Sequence, residues 1–338
     1  MTDNPVLVDV WRGTRVESRH RGAYAVCDAD GRLVAAAGDV AVPVFARSAV
    51  KALQALPLVA SGAADAFGLS PPELALACAS HGGEPAHVAA ATAILTKAGL
   101  DAGALECGAH RPLNVAAADA IVASGARWSA LHNNCSGKHA GFLCLACHTG
   151  APTQGYIDPA HAVQREVKAA IEAIAGAAVA QDGCGTDGCS APTYALPLTG
   201  LATAFARFGT GHAMAPATAS AAARLRAAVA AHPFMVAGSG RFCTGVMEVL
   251  GPRAFVKWGA EGVVCIALPD AGLGIAVKVD DGGTRGVEAA SAALLQRHLA
   301  LSPEEVVSLD AWARPTLTNW NGMVVGRLTP SEPLLGGA

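Results

Sequence analysis

Residues 255–279, FVKWGAEGVVCIALPDAGLGIAVKV, have a pattern from which the fold class follows. Short turns that contain Gly, Asp or Pro separate three apolar runs, a pattern that predicts three consecutive strands. The runs are Phe255–Lys257, Val263–Leu268 and Gly274–Val279. The first forty residues have the same pattern, and residues 28–31, DADG, form a hairpin turn sequence between two of their runs. Those runs are Val6–Val10, Gly22–Asp28 and Arg32–Ala37.

The residues between these two groups of strands have a helical pattern. A helix is predicted from about Ser48 to Ala60. Residues 70–73, SPPE, predict the start of another, because Ser is a favoured N-cap, Pro fits the first turn and Glu three residues later completes a capping box. Beyond the middle, a helix is predicted over about Arg285–Leu299 and a last strand over Gly322–Leu328.

This arrangement predicts an α/β fold, an α+β sandwich. One mixed sheet takes its strands from about residues 5–40 and about residues 253–328, and the middle, about residues 48–231, is helical. No Pro-rich or Ser-rich linker divides the chain. We therefore expect residues 1–338 to form a single unit.

Composition and charge exclude several classes of protein. Only 15% of the residues are charged, the net charge is −3, and the basic residues are scattered, so we expect no nucleic acid or anionic membrane as a partner. No run of 18 or more strongly apolar residues predicts a membrane span, and Met1–Pro5 lacks the features of a signal peptide. We expect a cytoplasmic protein with ten reduced cysteines.

Lysine is the informative residue type, because only six of the 24 basic residues are lysines. Unlike Arg, Lys has an amine that can lose its proton under ordinary conditions. Ser48 and Lys51 lie three residues apart, on one face of the first turn of the predicted helix. A buried, neutral lysine there can take the proton of the serine and create a nucleophile. The alternative is a chance Ser-x-x-Lys pair on a solvated helix face.

A second lysine and a second serine extend this pattern. Lys257 begins Lys-Trp-Gly at the end of a predicted strand, and a Ser-x-x-Lys helix with a Lys-x-Gly strand is typical of serine β-lactamases and penicillin-binding proteins. Ser80 follows an apolar run and precedes His81 and two glycines. Ser80 either faces the active-site cleft that would contain these lysines, or it is an ordinary serine at the end of a helix.

Two polar, Gly-containing loops carry further candidates. Residues 133–139, NNCSGKH, precede a helix whose first N–H groups can bind an anion, with Lys138 and His139 as additional donors. Residues 184–189, CGTDGC, form the second loop. If the loops meet, Cys135 and Cys189 can share a metal ion, and thiolates favour zinc. If they do not meet, both are ordinary turn cysteines.

Seven segments in a fixed order resemble the Rhizobium-etli-type L-asparaginases, the class 3 or asparaginase II family. The segments are 47–51 (RSAVK), 79–84 (ASHGGE), 133–139 (NNCSGKH), 182–185 (DGCG), 232–233 (HP), 237–241 (AGSGR) and 257–262 (KWGAEG). The resemblance covers about residues 5–330. It implies a fold related to serine β-lactamases and glutaminases, a homodimer, and hydrolysis of L-asparagine to L-aspartate and ammonia by a single catalytic unit.

The resemblance also implies roles for individual residues. Two Ser–Lys pairs are implied at the active site, Ser48 with Lys51 and Ser80 with Lys257. In the mechanism that we expect, Lys51 takes the proton of Ser48, which attacks the side-chain amide, and Ser80, tuned by Lys257, passes a proton to the departing ammonia. Which of the two serines is acylated stays open.

The remaining implied positions concern zinc and the substrate. The resemblance implies Zn²⁺ on Cys135, Lys138 and Cys189, where it would organise the substrate pocket. Arg47, His139 and Asp187 match positions near the substrate and the metal. Of these, Arg47 or His139 is expected to hold the α-carboxylate of the substrate, and Asp187 its α-ammonium group.

Several other functions remain open on the sequence alone. A glutaminase is the nearest, because one methylene group changes binding in a pocket by only about 1–3 kcal/mol. A β-lactam-recognising hydrolase is another enzyme alternative. A zinc-dependent hydrolase would activate water on the metal and use Ser48 only as a helix cap. A non-catalytic amino-acid-binding protein would bind asparagine without releasing ammonia.

Overall fold

Eleven strands and fifteen α-helices occur in the computed structural model, which describes residues 4–336. The strands are β1 (Val6–Arg12), β2 (Arg15–Asp28), β3 (Leu33–Ala37), β4 (Pro43–Phe45), β5 (Cys184–Thr186), β6 (Pro192–Pro197), β7 (Phe255–Gly259), β8 (Val263–Leu268), β9 (Leu273–Val279), β10 (Thr316–Thr318) and β11 (Val324–Pro330). The helices are α1 (Lys51–Gln54), α2 (Leu56–Ala60), α3 (Ala63–Ala66), α4 (Pro71–Ala77), α5 (Pro85–Lys97), α6 (Val115–Ala123), α7 (Ser136–Thr149), α8 (Ala162–Ala175), α9 (Leu198–Thr210), α10 (Pro216–Ala231), α11 (Phe234–Ala237), α12 (Phe242–Leu250), α13 (Thr284–His298), α14 (Pro303–Ala313) and α15 (Glu332–Leu335).

The main sheet takes its strands from both ends of the chain, which confirms the expected α/β fold. Its order is β10-β11-β1-β2-β9-β8-β7, with β3 paired to β2. The two ends join where β2 pairs with β9, from Gly22 opposite Val279 to Asp28 opposite Leu273. All pairings described in this sheet are antiparallel. The sheet therefore combines strands from both ends of the chain, but it contains no parallel pair among the described residues.

The helical middle is interrupted by strands that the sequence pattern did not predict. Strands β5 and β6 lie within the expected helical region and join β4 in a second sheet, in the order β4-β6-β5. Two of these strands have only three residues, too few to show an alternation of apolar and polar positions. The pairing of Val44 with Leu196 also joins residues far apart in the sequence.

The helix predicted from Ser48 to Ala60 is three shorter elements. A 3₁₀ turn covers Arg47–Val50, and α1 and α2 follow it. Pro57 explains the break between α1 and α2, because proline has no N–H to continue the helical hydrogen bonds. The start predicted at Ser70 is confirmed, since Glu73 Oε2 accepts hydrogen bonds from Ser70 N at 2.6 Å and Ser70 Oγ at 2.8 Å.

Helix α9 packs against β9 and β2 and closes the core on the main sheet. Gly274 makes this close approach possible, because a Cβ atom there would lie 1.9 Å from the carbonyl oxygen of Ala202. Phe205 and Phe208 of α9 contact Phe255, with ring centroids 6.0 and 5.1 Å apart. Strand β7, which carries a predicted site residue, is thereby anchored to the core. Within residues 4–336, no helix has the length and apolar character needed to cross a membrane.

Candidate active site

The centre of the candidate site is a serine hydroxyl between two buried amines. Lys51 Nζ lies 2.9 Å from Ser80 Oγ, and Lys257 Nζ lies 3.0 Å from the same oxygen. None of the three side chains belongs to a residue more than 4% exposed. The structure therefore joins three of the four residues in the predicted Ser–Lys pairs, and it arranges them as one continuous network.

Three separate elements bring these groups together. Lys51 begins α1, Lys257 lies in the middle of β7, and Ser80 follows α4 in a loop whose Ser80 N–H donates to Val236 O at 2.9 Å. Gly259 lets β7 approach the 3₁₀ turn, because a Cβ atom there would lie 2.8 Å from both Ala46 O and Ala49 N. The distance between the lysines and Ser80 thus depends on this backbone contact.

Ser48 lies on the 3₁₀ turn beside this network without joining it. Its hydroxyl makes no hydrogen bond within the described part of the chain, so the expected contact with Lys51 is not found. Lys51 Nζ contacts Ala79 O at 2.6 Å, Ser80 Oγ at 2.9 Å and Cys135 Sγ at 3.0 Å. These interior partners match all three donors of an ammonium group. Ser48, 8% exposed, keeps its hydroxyl free of protein partners.

The residue before Ser48 has a strained backbone. Arg47 has a φ of 50°, in the left-handed region that residues other than glycine rarely adopt. Such conformations cost about 1–3 kcal/mol and persist where the surroundings hold them. Arg47 is held by its ion pair with Asp187, in which Nε and Nη2 donate to Asp187 Oδ1 at 2.9 and 2.7 Å. Two of the predicted substrate-binding residues therefore bind each other.

Lys257 is the amine of this network that titrates near neutral pH. Burial, and secondarily the charge of Lys51, lowers the pKa of Lys257 to about 7. Both effects disfavour its ammonium form. A substantial fraction of Lys257 is thus neutral near pH 7 and able to accept a proton from the hydroxyl that it contacts.

The two cysteine loops do meet. Cys135 precedes α7, and the next turn of that helix places Lys138 Nζ 3.1 Å from Cys189 Sγ. A hydrogen bond from Cys135 and the charge of Lys138 hold the pKa of Cys189 far below its ordinary value, although burial opposes this. Burial lowers the pKa of Lys138, but the negative charge of the Cys189 thiolate has the larger effect, so the pKa of Lys138 is raised overall.

This set of donors fits a zinc ion by its chemistry. Two cysteine sulfurs and one amine, once Cys135 has also lost its proton and the amine is neutral, are ligands of the kind that zinc binds. The set contains only two residues of the usual metal-binding types. Between Asn4 and Gly336, no group of three or more His, Cys, Asp and Glu side chains gathers as a metal site.

His139, the last predicted site residue, lies buried beside Tyr156. Its Nδ1 is 2.7 Å from Tyr156 Oη. Burial lowers the pKa of His139 to about 4, so the imidazole is neutral at physiological pH. The sequence patterns did not identify Tyr156 as a site residue. Tyrosine is scarce in this chain, with only three residues, so its rarity was an indication of the same kind as the rarity of lysine.

The chain matches the model of one known protein family. The model described as L-asparaginase II matches residues 8–330, which is nearly the whole chain. A search of the curated proteins finds no match to the chain.

Solved structures give only weak likenesses. Against Mglu in its native form, the likeness covers 84% of this chain and 66% of that chain, at 19% identity and a TM-score of 0.40. This chain thus spans slightly less than two thirds of the length of Mglu. Against a β-lactamase, Mb2281c, from Mycobacterium bovis, it covers 82% of this chain and 95% of that one, at 15% identity and a TM-score of 0.42. Neither likeness carries an argument about function.

Proposed function

Because the chain belongs to the L-asparaginase II family, and is therefore an amidohydrolase, we propose that it hydrolyses L-asparagine to L-aspartate and ammonia. We assign it to the Rhizobium-etli type within that family, and we propose that it acts as a single catalytic unit in a cytoplasmic homodimer. The observation that carries the proposal is the network of Lys51, Ser80 and Lys257. A buried hydroxyl with two amines is suited to moving protons during acyl transfer.

Ser48 is the nucleophile in this proposal. Its hydroxyl has no protein partner, and the strained residue before it, Arg47, resembles the sharp turns that present catalytic serines. Lys51, whose amine donates to three interior acceptors, first passes a proton through Ser80 to neutral Lys257 and then takes the proton of Ser48. This chain of contacts delivers the proton to the departing ammonia. Water then hydrolyses the acyl-enzyme and restores the network.

The negative charge that develops on the amide oxygen requires donors held in place before the reaction. The backbone N–H of Ser48 lies at the start of the 3₁₀ turn, where the first N–H groups have no partner within the turn. We propose this group as one donor and a group on the side of β7 as the other. Arg47 or His139 binds the α-carboxylate, and Asp187 helps to set the position of Arg47.

Cys135, Lys138 and Cys189 would hold Zn²⁺, with Lys138 in its neutral form. When bound, the ion would supply positive charge that organises the substrate pocket. The contact of Lys51 Nζ with Cys135 Sγ, at 3.0 Å, connects these residues with the proton network. Cys135 would therefore help to orient Lys51 as well as bind the ion.

The proposal is tested by measuring ammonia release from L-asparagine, L-glutamine and D-asparagine. The protein is compared with Ser48→Ala, Ser80→Ala and, as a matched control, Ser124→Ala, whose hydroxyl is exposed at the end of α6 and bonds Ile121 O. We expect both site variants to lose at least about a thousandfold in kcat/KM for L-asparagine, because Ser48→Ala removes the nucleophile and Ser80→Ala removes a proton-transfer step. The control should keep its activity.

Other results would identify the alternatives. Faster release from L-glutamine would make the protein a glutaminase. Loss of turnover on zinc removal, with Ser48→Ala active, would favour a metal-activated water. Ammonia from none of the substrates, with and without zinc, would contradict the asparaginase proposal. Intact-mass detection of an acyl adduct that persists in Ser48→Ala would move the nucleophile to Ser80.

A further inference from the structure

A cavity of about 430 Å³ lies beside Arg47, on the side of the 3₁₀ turn that faces the second sheet. Its walls include Phe45 of β4, Thr193 of β6 and Glu261 of the turn between β7 and β8. This volume is within the range of sites for small molecules. Arg47 lines this cavity and immediately precedes Ser48 in the 3₁₀ turn, so it connects the cavity with the turn that carries the proposed nucleophile, although Ser48 itself is not among the lining residues.

Arg47 has a free donor that can reach into this cavity. Its Nε and Nη2 both donate hydrogen bonds to a single oxygen, Asp187 Oδ1. Its remaining nitrogen, Nη1, has no hydrogen-bond partner within residues 4–336, and the side chain is 24% exposed. A guanidinium group that is fixed by one carboxylate and keeps a free N–H is suited to a second carboxylate.

Glu261 supplies the opposite charge on the same wall. Its carboxylate forms no ion pair or hydrogen bond with any residue that the structure describes. Lys278, a basic group on the same wall, interacts with Glu261 electrostatically, but its amine donates its hydrogen bond to the backbone oxygen of Val279. Glu261 therefore keeps its full acceptor capacity for a ligand, whereas Asp187 is already engaged by Arg47.

The backbone holds Glu261 in this position at a conformational cost. Its φ is 63°, in the left-handed region where Gly or Asn is the ordinary choice. The adjacent Gly262 accepts a hydrogen bond from Val279 N at 3.0 Å, which fixes the turn to the end of β9. A strained residue with an unpaired charge on a cavity wall is a reason to look for a functional role.

Thr193 adds a third polar group to the cavity. The residue is only 6% exposed, and its hydroxyl finds no hydrogen-bond partner among the residues from 4 to 336. Buried hydroxyls normally have a partner. The cavity wall thus includes an unpaired carboxylate and a guanidinium group with a free N–H, and the Thr193 hydroxyl is buried within that wall.

We propose that this cavity binds the α-amino-acid end of the substrate, with its α-ammonium group on Glu261 and its α-carboxylate on Arg47 Nη1. This inference rests on the proposed function for the identity of the substrate. Glu261, and not Asp187, then selects free amino acids over compounds that lack the α-ammonium group. The Asp187 carboxylate acts as a positioning group for Arg47.

The first test compares L-asparagine with succinamic acid, which has a hydrogen in place of the α-ammonium group. We expect Glu261→Gln to lower kcat/KM for L-asparagine about ten- to a hundredfold, mainly through KM, because one charge-assisted hydrogen bond is lost. Activity towards succinamic acid should be unchanged, so the preference for the amino acid collapses. Glu261→Asp keeps the charge and should retain part of that preference.

Glu166→Gln, on an exposed position of α8, is the matched control and should change neither substrate. An equal loss for both substrates in Glu261→Gln would overturn the proposal, because it would indicate a structural role. No change for either substrate would overturn it as well. Thermal unfolding of each variant identifies any loss of folded protein.

A binding measurement separates this inference from the proposed function. Calorimetric titration with L-aspartate and with succinate requires no turnover. We expect Glu261→Gln to weaken L-aspartate binding about tenfold or more and to leave succinate binding unchanged. If the protein releases no ammonia but shows this difference, the asparaginase proposal fails and the cavity assignment stands. If it is an active asparaginase and L-aspartate binding is unaltered in the variant, only the cavity assignment fails.

Discussion

The amine nitrogens of Lys51 and Lys257 both lie within hydrogen-bond distance of the same oxygen, Ser80 Oγ. The two nitrogens therefore lie within about 6 Å of each other in a buried site. Two ammonium groups at that separation repel each other by about 3 kcal/mol at an effective dielectric constant of 20. This repulsion, added to burial, favours the loss of one proton from the pair.

Activity should rise with pH through about 7, because Lys257 must be neutral to accept a proton. Its pKa is lowered to about 7, so kcat/KM for L-asparagine should fall about tenfold per pH unit well below that value. Lys257→Arg replaces the amine with a guanidinium group that stays protonated and cannot accept a proton, so kcat/KM should fall at least about a hundredfold. The measurement is the pH profile of ammonia release. A profile that is flat from pH 5.5 to 8 would contradict this role.

Lys257 should also make the stability of the protein depend on pH. Its pKa is about 7 in the folded protein and about 10.4 in an unfolded chain, so between these values only the unfolded chain binds the proton. The free energy of unfolding should therefore rise with pH across this window, by up to about 1.4 kcal/mol per unit, relative to that of Lys257→Met. Urea unfolding of both proteins at pH 7, 8 and 9 measures the difference, which must change with pH if the assignment is correct.

Gly259→Ala should impair both stability and activity. The added Cβ would lie 2.8 Å from Ala46 O and Ala49 N and would push β7 away from the 3₁₀ turn. We expect a loss of about 1–3 kcal/mol in the free energy of unfolding and a fall in kcat, because Lys257 and Ser48 lie on the two displaced elements. Gly188→Ala is the control for stability, since a Cβ there meets nothing within 4 Å. Equal melting temperatures for the two variants would refute the prediction.

Zinc content should depend on Lys138 and Cys189. If these side chains bind the ion with Cys135, Cys189→Ser and Lys138→Met should each lower the zinc content and affinity by at least about tenfold. Elemental analysis after dialysis against a defined zinc concentration gives the result. Cys147→Ser, at the far end of α7, is the matched control. Unchanged zinc content in both site variants, or no zinc in any protein, would remove the metal from the proposal.

Local sequence patterns were sufficient to predict the elements that depend on neighbouring residues. The apolar runs between 255 and 279 became β7, β8 and β9, and the helix start at Ser70 carries the hydrogen bonds of its capping box. These features follow from residues close together in the chain, where propensity and capping act. Scarcity of lysine also identified Lys51 and Lys257 as candidates without any structure.

The contacts between those candidate residues depend on the tertiary fold. Spacing of three residues suggested Ser48 as the partner of Lys51, but the amine contacts Ser80, 29 positions away. The second sheet, the close approach of Gly259 and the cavity wall at Glu261 likewise depend on residues that are distant in the sequence. A buried amine takes the acceptors that packing brings within reach. Local spacing therefore identifies the residue types of the site, and long-range packing determines their partners.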